Sequence, residues 1–331
     1  MTATEVHHLY ESFARKKIFV IGDVMLDSYL WGKVDRISPE APVPIIACTS
    51  KESRLGGAAN VALNLAAMGA TPILCGIIGN DDMGTLFLKL MQDNHVSNTG
   101  IYIQKERPTT VKTRVISNNQ QLLRIDEETD KPLSGEQEKL YLDFIKNFIH
   151  KCKPDAIIFQ DYDKGALTPE IIKTITLLAN KLEIPTLVDP KKRNFFCYDG
   201  ANLFKPNFKE FCEGLKLDLK KDQFDLIYSA AKEFMAQKNI NLLMLTLSEK
   251  GVLICDQKGF HHILAHSREI TDVSGAGDTV ISIASLCLSS GLKPQQIAAI
   301  SNLAGGLVCE KAGVVPIDKK KLEAETLLLN L

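Results

Sequence analysis

The sequence predicts a layered α/β fold around a buried, mainly parallel sheet, and three observations predict it. Short apolar runs alternate with segments of helical period from one end of the chain to the other. Those runs are continuous rather than alternating, as in strands covered on both faces. Neither a repeat of about 20–50 residues nor a low-complexity linker divides the 331 residues, so they are read as one domain, 1–331.

Taken in order, KKIFVIGDV is a strand, NVALNLAAMGA a helix and TPILCGIIG a strand. SGEQEKLYLDFIKNFIHK (helix), PDAIIFQDY (strand), TPEIIKTITLLANKL (helix) and IPTLVDP (strand) follow. A helix around 222–238 precedes the strand INLLMLTLS, and two helices, GAGDTVISIASLCLSSGL and PQQIAAISNLAGGLVCEKAG, come last. Two stretches break this rhythm. Residues about 28–50 and about 98–126 are strand-like, punctuated by turn residues and without helical period. They are expected to pair as a small second sheet, which would act as a lid if it hung over the carboxyl ends of the main strands.

Composition excludes several classes of function. The 45% hydrophobic content supplies a sizeable core. Basic and acidic residues balance, 39 against 40, which leaves no electrostatic footprint for nucleic acid or an anionic membrane. No apolar run reaches the roughly 18 residues of a membrane span, and the N-terminus lacks the apolar core of a signal peptide. A cytoplasmic protein is therefore expected. The eight cysteines stand singly without C-x-x-C spacing, which predicts reduced thiols rather than disulfides or zinc. His261, His262 and His266 fall in a strand-like segment without a neighbouring carboxylate or thiol at ligand spacing, so no zinc site is expected there.

Four motifs carry chemistry. In Asp272-Val273-Ser274-Gly275-Ala276-Gly277-Asp278, two glycines flank a small residue where the chain turns into a helix. Backbone N–H groups of Gly275, Ala276 and Gly277 can converge there on an anion, reinforced by the positive end of the helix dipole. Asp278 lies beside that turn, placed to take a proton from a hydroxyl attacking a bound phosphoryl group. In Gly56-Gly57-Ala58-Ala59-Asn60 the glycines allow close approach of a ligand, and Asn60 can donate to and accept from hydroxyls. Asp23 and Asp27 follow the first strand, where α/β sheets bind ligands and carboxylates suit paired sugar hydroxyls. Asn207 and Glu210, three apart on an opening helical turn, can face a hydrated Mg²⁺ and its phosphates, or form a capping box.

Together the GG-x-x-N, N-x-x-E and D-x-x-GAGD motifs resemble the family of sugar and nucleoside kinases typified by ribokinase and adenosine kinase, over essentially the whole chain. The resemblance implies a three-layer α/β/α fold with a β-sheet lid, ATP and Mg²⁺ as cosubstrate and cofactor, and Asp278 as catalytic base. It makes Gly275, Ala276 and Gly277 the anion hole. It assigns Asn207, Glu210, Thr246, Ser248 and Gly251 to ATP and Mg²⁺, and Asp23, Asp27, Gly56, Gly57 and Asn60 to the sugar. It also makes a homodimer through the lids an expectation. Two departures stand out: Thr279-Val280 where the family has a small residue and Phe, and Ser248 where its nucleotide strand has Gly.

A narrower resemblance rests on GDVMLDSYLWGKVDRISPEAPVPI, QQLLRIDEE and LVDPKK, which are similar to kinases of D-glycero-β-D-manno-heptose 7-phosphate. It implies phosphorylation of the anomeric hydroxyl on the way to ADP-heptose and lipopolysaccharide core. Some relatives of that kind are fused to an adenylyltransferase with an H-x-G-H motif; none occurs here, and a stand-alone kinase is expected. Alternatives are a kinase of ribose, fructose or fructose phosphate, or a non-catalytic sugar-binding protein. The sugar's own phosphate needs fixed cations, for which Arg36, Lys112, Arg114, Arg124 and Lys191 are the candidates, and Asp189, two residues before Lys191, is expected to bind the substrate as well.

Overall fold

The computed structural model describes residues 1–118 and 120–329. In chain order its strands are β1 Lys17–Gly22, β2 Val24–Ile37, β3 Pro44–Gly57, β4 Thr71–Gly79, β5 Ile101–Gln104, β6 Val111–Ser117 and β7 Gln120–Glu127. They continue with β8 Ala156–Gln160, β9 Thr186–Asp189, β10 Leu203–Phe204, β11 Leu242–Thr246, β12 Val252–Cys255 and β13 Phe260–Ile263. The helices are α1 Ala3–Phe13, α2 Ala58–Ala67, α3 Asp82–Asp93, α4 Gly135–Cys152 and α5 Pro169–Lys181, then α6 Phe208–Leu215, α7 Phe224–Lys238, α8 Ala276–Ser289, α9 Pro294–Val308 and α10 Lys319–Thr326.

Nine strands form the main sheet in the order β13-β12-β11-β10-β9-β8-β1-β4-β5, parallel except for β12, which runs antiparallel to both neighbours. Alternation along β1 shows why its apolar run is continuous. Ile18 and Val20 face one core with α1, α2, α8 and α9, while Phe19 and Ile21 face a second core with α4, α5 and α7. Both sides of every central strand are thus buried, giving three layers, α/β/α. β1 sits between β8 and β4, so the connections leave it in both directions, and a crevice opens at its carboxyl end.

β2, β3, β6 and β7 make a separate four-stranded sheet, ordered β3-β2-β6-β7, with only β2 and β6 parallel. Both irregular stretches contribute to it, with one difference from expectation: Ile101–Gln104 leaves the second stretch and pairs with β4 at the edge of the main sheet. Three helices were not anticipated. α1 has a Thr2–Glu5 capping box and buries Val6, Leu9, Tyr10 and Phe13, one face at helical spacing. α3 is capped by Asp81, and α10 by Asp318.

All eight cysteines are free, with Cys75, Cys255, Cys287 and Cys309 buried and Cys48 exposed. Among the described residues no helix is long and apolar enough to cross a membrane. His262 bonds the Lys250 carbonyl at 2.7 Å and packs on Phe224, while His266 lies beyond the strand.

Candidate active site

The parallel strands deliver polar residues to one edge of the sheet, because each run of apolar residues stops where the strand leaves the core. Asp23 follows β1, Gln160 and Asp189 close β8 and β9, Lys205 follows β10, and Thr246 closes β11. The N-terminus of α8 points into the same place.

Asp278, in the first turn of α8, is 5% exposed and is the convergence point. Its Oδ2 accepts from Asn60 Nδ2 at 2.8 Å. Its Oδ1 accepts from Tyr162 Oη at 2.6 Å and Gln160 Nε2 at 3.0 Å. Burial pushes its carboxyl up to about 6; the Tyr162 and Asn60 hydrogen bonds and the Lys205 charge act against that rise, and Asp189 adds to it. A carboxylate in that range is ionised at neutral pH yet basic enough to receive a proton. The turn before it is strained open by sequence: Gly275 has φ +80°, and a Cβ there would lie 2.8 Å from Asn60 Nδ2. A Cβ on Gly277 would approach Lys205 Nζ and Asp189 Oδ2 at 3.7 and 3.8 Å. The Ala276 N–H reaches back to Val273 over a long 3.3 Å, and that of Thr279 bonds Gly275 at 3.0 Å. First-turn amides of a helix lack intrahelical partners, so this turn offers the N–H donors that an anion would need.

Asn60 arrives from the opposite side. Gly56 and Gly57 end β3 rather than lying in a loop, and α2 begins at once. A Cβ on Gly56 would lie 2.2 Å from Asp27 Oδ2, so only glycine lets β3 run beside that carboxylate. Asn64, one turn on, donates to the Asn60 carbonyl and accepts from Thr279 Oγ1 at 3.1 Å. The Thr279 that departs from the family pattern therefore ties α8 to α2.

A second cluster flanks the turn. Lys205, 2% exposed, pairs with Asp189 at 2.9 Å, and Gln160 bridges Asp189 to Asp278. Lys191 pairs with Glu210 and stands 5.5 Å above the Tyr162 ring. Burial opposes its charge, but Asp189 and Glu210 hold its pKa above the ordinary lysine value. Asn207 and Glu210 form a reciprocal capping box on α6, each bond 2.8 Å, and Asn207 bridges to Thr246 on β11. Ser248 occupies the left-handed region at φ +57°, the conformation a glycine would take without strain. Gly251 closes the same turn.

Several sequence expectations change. Asp23 does not present its carboxylate to a ligand: its oxygens accept from the backbone N–H groups of Tyr162, Lys164 and Ala166 at 2.9–3.0 Å, pinning that loop. Arg36 is exposed near the far end of β2. At a strand's rise that is roughly 25–30 Å from Asp27, and this chain does not bring it to the site. Lys191 lies with Glu210 rather than among the other proposed sugar-phosphate cations. Those others are paired: Arg114 with buried Asp27, Lys112 with Asp126 and Glu128, and Arg124 with Asp126. Gln160, Tyr162, Lys205 and Asn64 were missed; the signal was a polar residue at, or just past, the end of an apolar strand, and an Asn one helical turn after Asn60.

The side-chain oxygens of Asn207 and Glu210 are engaged by each other's backbone N–H groups and, on Glu210, by Lys191, so their remaining lone pairs suit Mg²⁺ through its water shell rather than as direct ligands. Among the described residues no group of three or more His, Cys, Asp or Glu could hold a metal ion.

A model of the pfkB carbohydrate kinase family matches residues 15–320. The bifunctional protein HldE of Methylobacillus flagellatus is 40% identical over 308 residues, covering 93% of this chain and 62% of that protein. HldE of Helicobacter pylori J99 is 38% identical over 315 residues, 95% of this chain and 66% of that protein. The chain thus spans less than two thirds of the relatives it matches. In fold it is similar to Escherichia coli phosphofructokinase-2 in complex with fructose-6-phosphate (TM-score 0.75, 18% identity, 94% of this chain and 99% of that chain). It is also similar to Arabidopsis thaliana ribokinase complexed with ribose and ATP (TM-score 0.73, 16% identity, 96% and 100%). With a family model matched over residues 15–320 and a relative 40% identical over 93% of its length, the chain belongs to the pfkB family of carbohydrate kinases.

Proposed function

We propose that the chain transfers the γ-phosphoryl group of ATP to the anomeric hydroxyl of D-glycero-β-D-manno-heptose 7-phosphate, giving the 1,7-bisphosphate for ADP-heptose and lipopolysaccharide core. The observation that carries phosphoryl transfer is Asp278: buried, held by three donors and adjoining the Gly275–Gly277 turn. The Asp278 carboxylate takes the hydroxyl proton as its oxygen attacks phosphorus, the bond to the ADP oxygen breaks, and the turn's amides receive the developing charge. Mg²⁺, held through Asn207 and Glu210, would supply charge neutralisation on the phosphates. Lys205 and Lys191 add fixed positive charge on that side. The small sheet serves as the lid over the sugar, with Asp27 and Asn60 toward its hydroxyls.

The choice of heptose 7-phosphate rests on the RISPEAPVP, QQLLRIDEE and LVDPKK strings and on the HldE relatives. A cytoplasmic enzyme with ATP, Mg²⁺ and a homodimer is part of the same proposal. The acceptor is tested by offering heptose 7-phosphate, unphosphorylated heptose, ribose and fructose with MgATP and measuring ADP release. Equal kcat/KM for phosphorylated and unphosphorylated sugars would leave a carbohydrate kinase of another specificity.

A further inference from the structure

Tyr162 is absent from every motif that marked the site, yet its hydroxyl makes the shortest contact to the base, 2.6 Å to Asp278 Oδ1. Its position is fixed from three directions. Its backbone N–H bonds Asp23 at 2.9 Å, the Lys191 ammonium stands 5.5 Å over its ring, and the loop that carries it is held by the Lys164 and Ala166 amides on the same Asp23. Gln160 Nε2 fills a second position on Oδ1 at 3.0 Å, whereas Oδ2 has one donor, Asn60. A carboxylate oxygen offers about two lone-pair sites, so Oδ1 is saturated and Oδ2 retains a free one.

We propose that Tyr162 is a positioning residue that, with Gln160, occupies Oδ1 and so makes Oδ2 the oxygen that accepts the sugar's proton. This rests on Asp278 being the base. The bond from Tyr162 also stabilises the ionised carboxylate, because a phenol O–H donates more strongly to a charged oxygen than to a neutral carboxyl. Other charged groups facing the pair are Asp189 and Lys205 beside Asp278, and Asp189, Asp27 and Lys191 beside Tyr162. All of them remain when the hydroxyl alone is deleted.

The test is Tyr162→Phe, which keeps the buried ring. Its kcat/KM is followed from about pH 5 to about pH 9, where the acid limb reports the base in the free enzyme. The limb is expected to move up by about one pH unit, so that kcat/KM falls roughly fivefold near pH 6 and roughly tenfold near pH 5, while the alkaline plateau stays within about threefold of wild type. KM for ATP should not change. A variant whose limb coincides with wild type, whether its plateau is lowered or not, overturns the proposal, since a merely structural tyrosine would lower activity evenly. An alkaline plateau depressed as strongly as the acid limb overturns it too. Failure of the underlying assignment is separate: it shows as activity retained in Asp278→Asn.

Discussion

Replacing Asp278 by Asn perturbs charge and hydrogen bonding at nearly constant volume. The Asn oxygen in the place of Oδ1 keeps Tyr162 and Gln160, but its NH₂ then meets Asn60 Nδ2, 2.8 Å from the present Oδ2. Asn60 must turn its amide to accept, giving up the contact its oxygen receives from Asn64 at 3.3 Å. Removing a general base costs about 10²–10⁴-fold in kcat. Stability moves differently. The carboxyl sits at about 6 in the fold against 3.8 for an unburied aspartate, so ionising it there costs on the order of 3 kcal/mol at neutral pH. The raised value means that the stability from the protonated form is complete below about pH 4 and lost as pH rises through about 6. The variant escapes that loss and gives back about 1–3 kcal/mol through the amide mismatch. Its melting temperature at pH 8 should therefore equal or exceed that of wild type, with the comparison shifting toward wild type as pH falls from 6 to 4. Turnover is read by ADP release, ATP binding by calorimetry, and melting across pH. A kcat within tenfold of wild type, or a variant markedly less stable at pH 8, would refute the assignment of a buried base.

Two further substitutions probe the surroundings. Arg114→Ala strands the Asp27 carboxylate, 7% exposed, without its partner. It should cost about 3–5 kcal/mol in a urea titration and raise KM for the sugar; a loss below about 1 kcal/mol would show the pair to be dispensable. Ser248→Gly relieves a left-handed residue, worth about 1 kcal/mol, against about 0.4–1 kcal/mol of added freedom in the unfolded chain. The midpoint should stay the same or rise slightly, and a clear destabilisation would mean the Ser hydroxyl has a structural role.

Much of the architecture was legible because burial on both faces leaves an unbroken apolar run, as in IFVIG and AIIFQ, and because helical period survives in long segments. The GAGD turn was legible for a local reason: its function is built from backbone and needs small residues in sequence. What escaped was assembled across the chain. Gln160 and Tyr162 lie 118 and 116 residues from Asp278, and nothing beside them in sequence announces a partner. Asp23 carried the opposite lesson, since an acid at the end of a central strand served the loop beside it rather than a ligand. The α1 helix has its signal in the Thr2–Glu5 capping box and in Val6, Leu9, Tyr10 and Phe13, but only four apolar positions among polar neighbours make that face faint in the sequence. Ile101–Gln104 is too short for its pattern to say which sheet it joins.

The measurement that tests the account most directly is the ratio of kcat/KM for heptose 7-phosphate to that for unphosphorylated heptose, with MgATP in excess and the product identified by phosphorus NMR. One charge-assisted contact to the 7-phosphate, about 1.5–3 kcal/mol, already sets a ratio of roughly 10–150. The account predicts a ratio at or above that range and a product phosphorylated at both C1 and C7. A ratio near one, or ADP release without a second sugar phosphate signal, would contradict it.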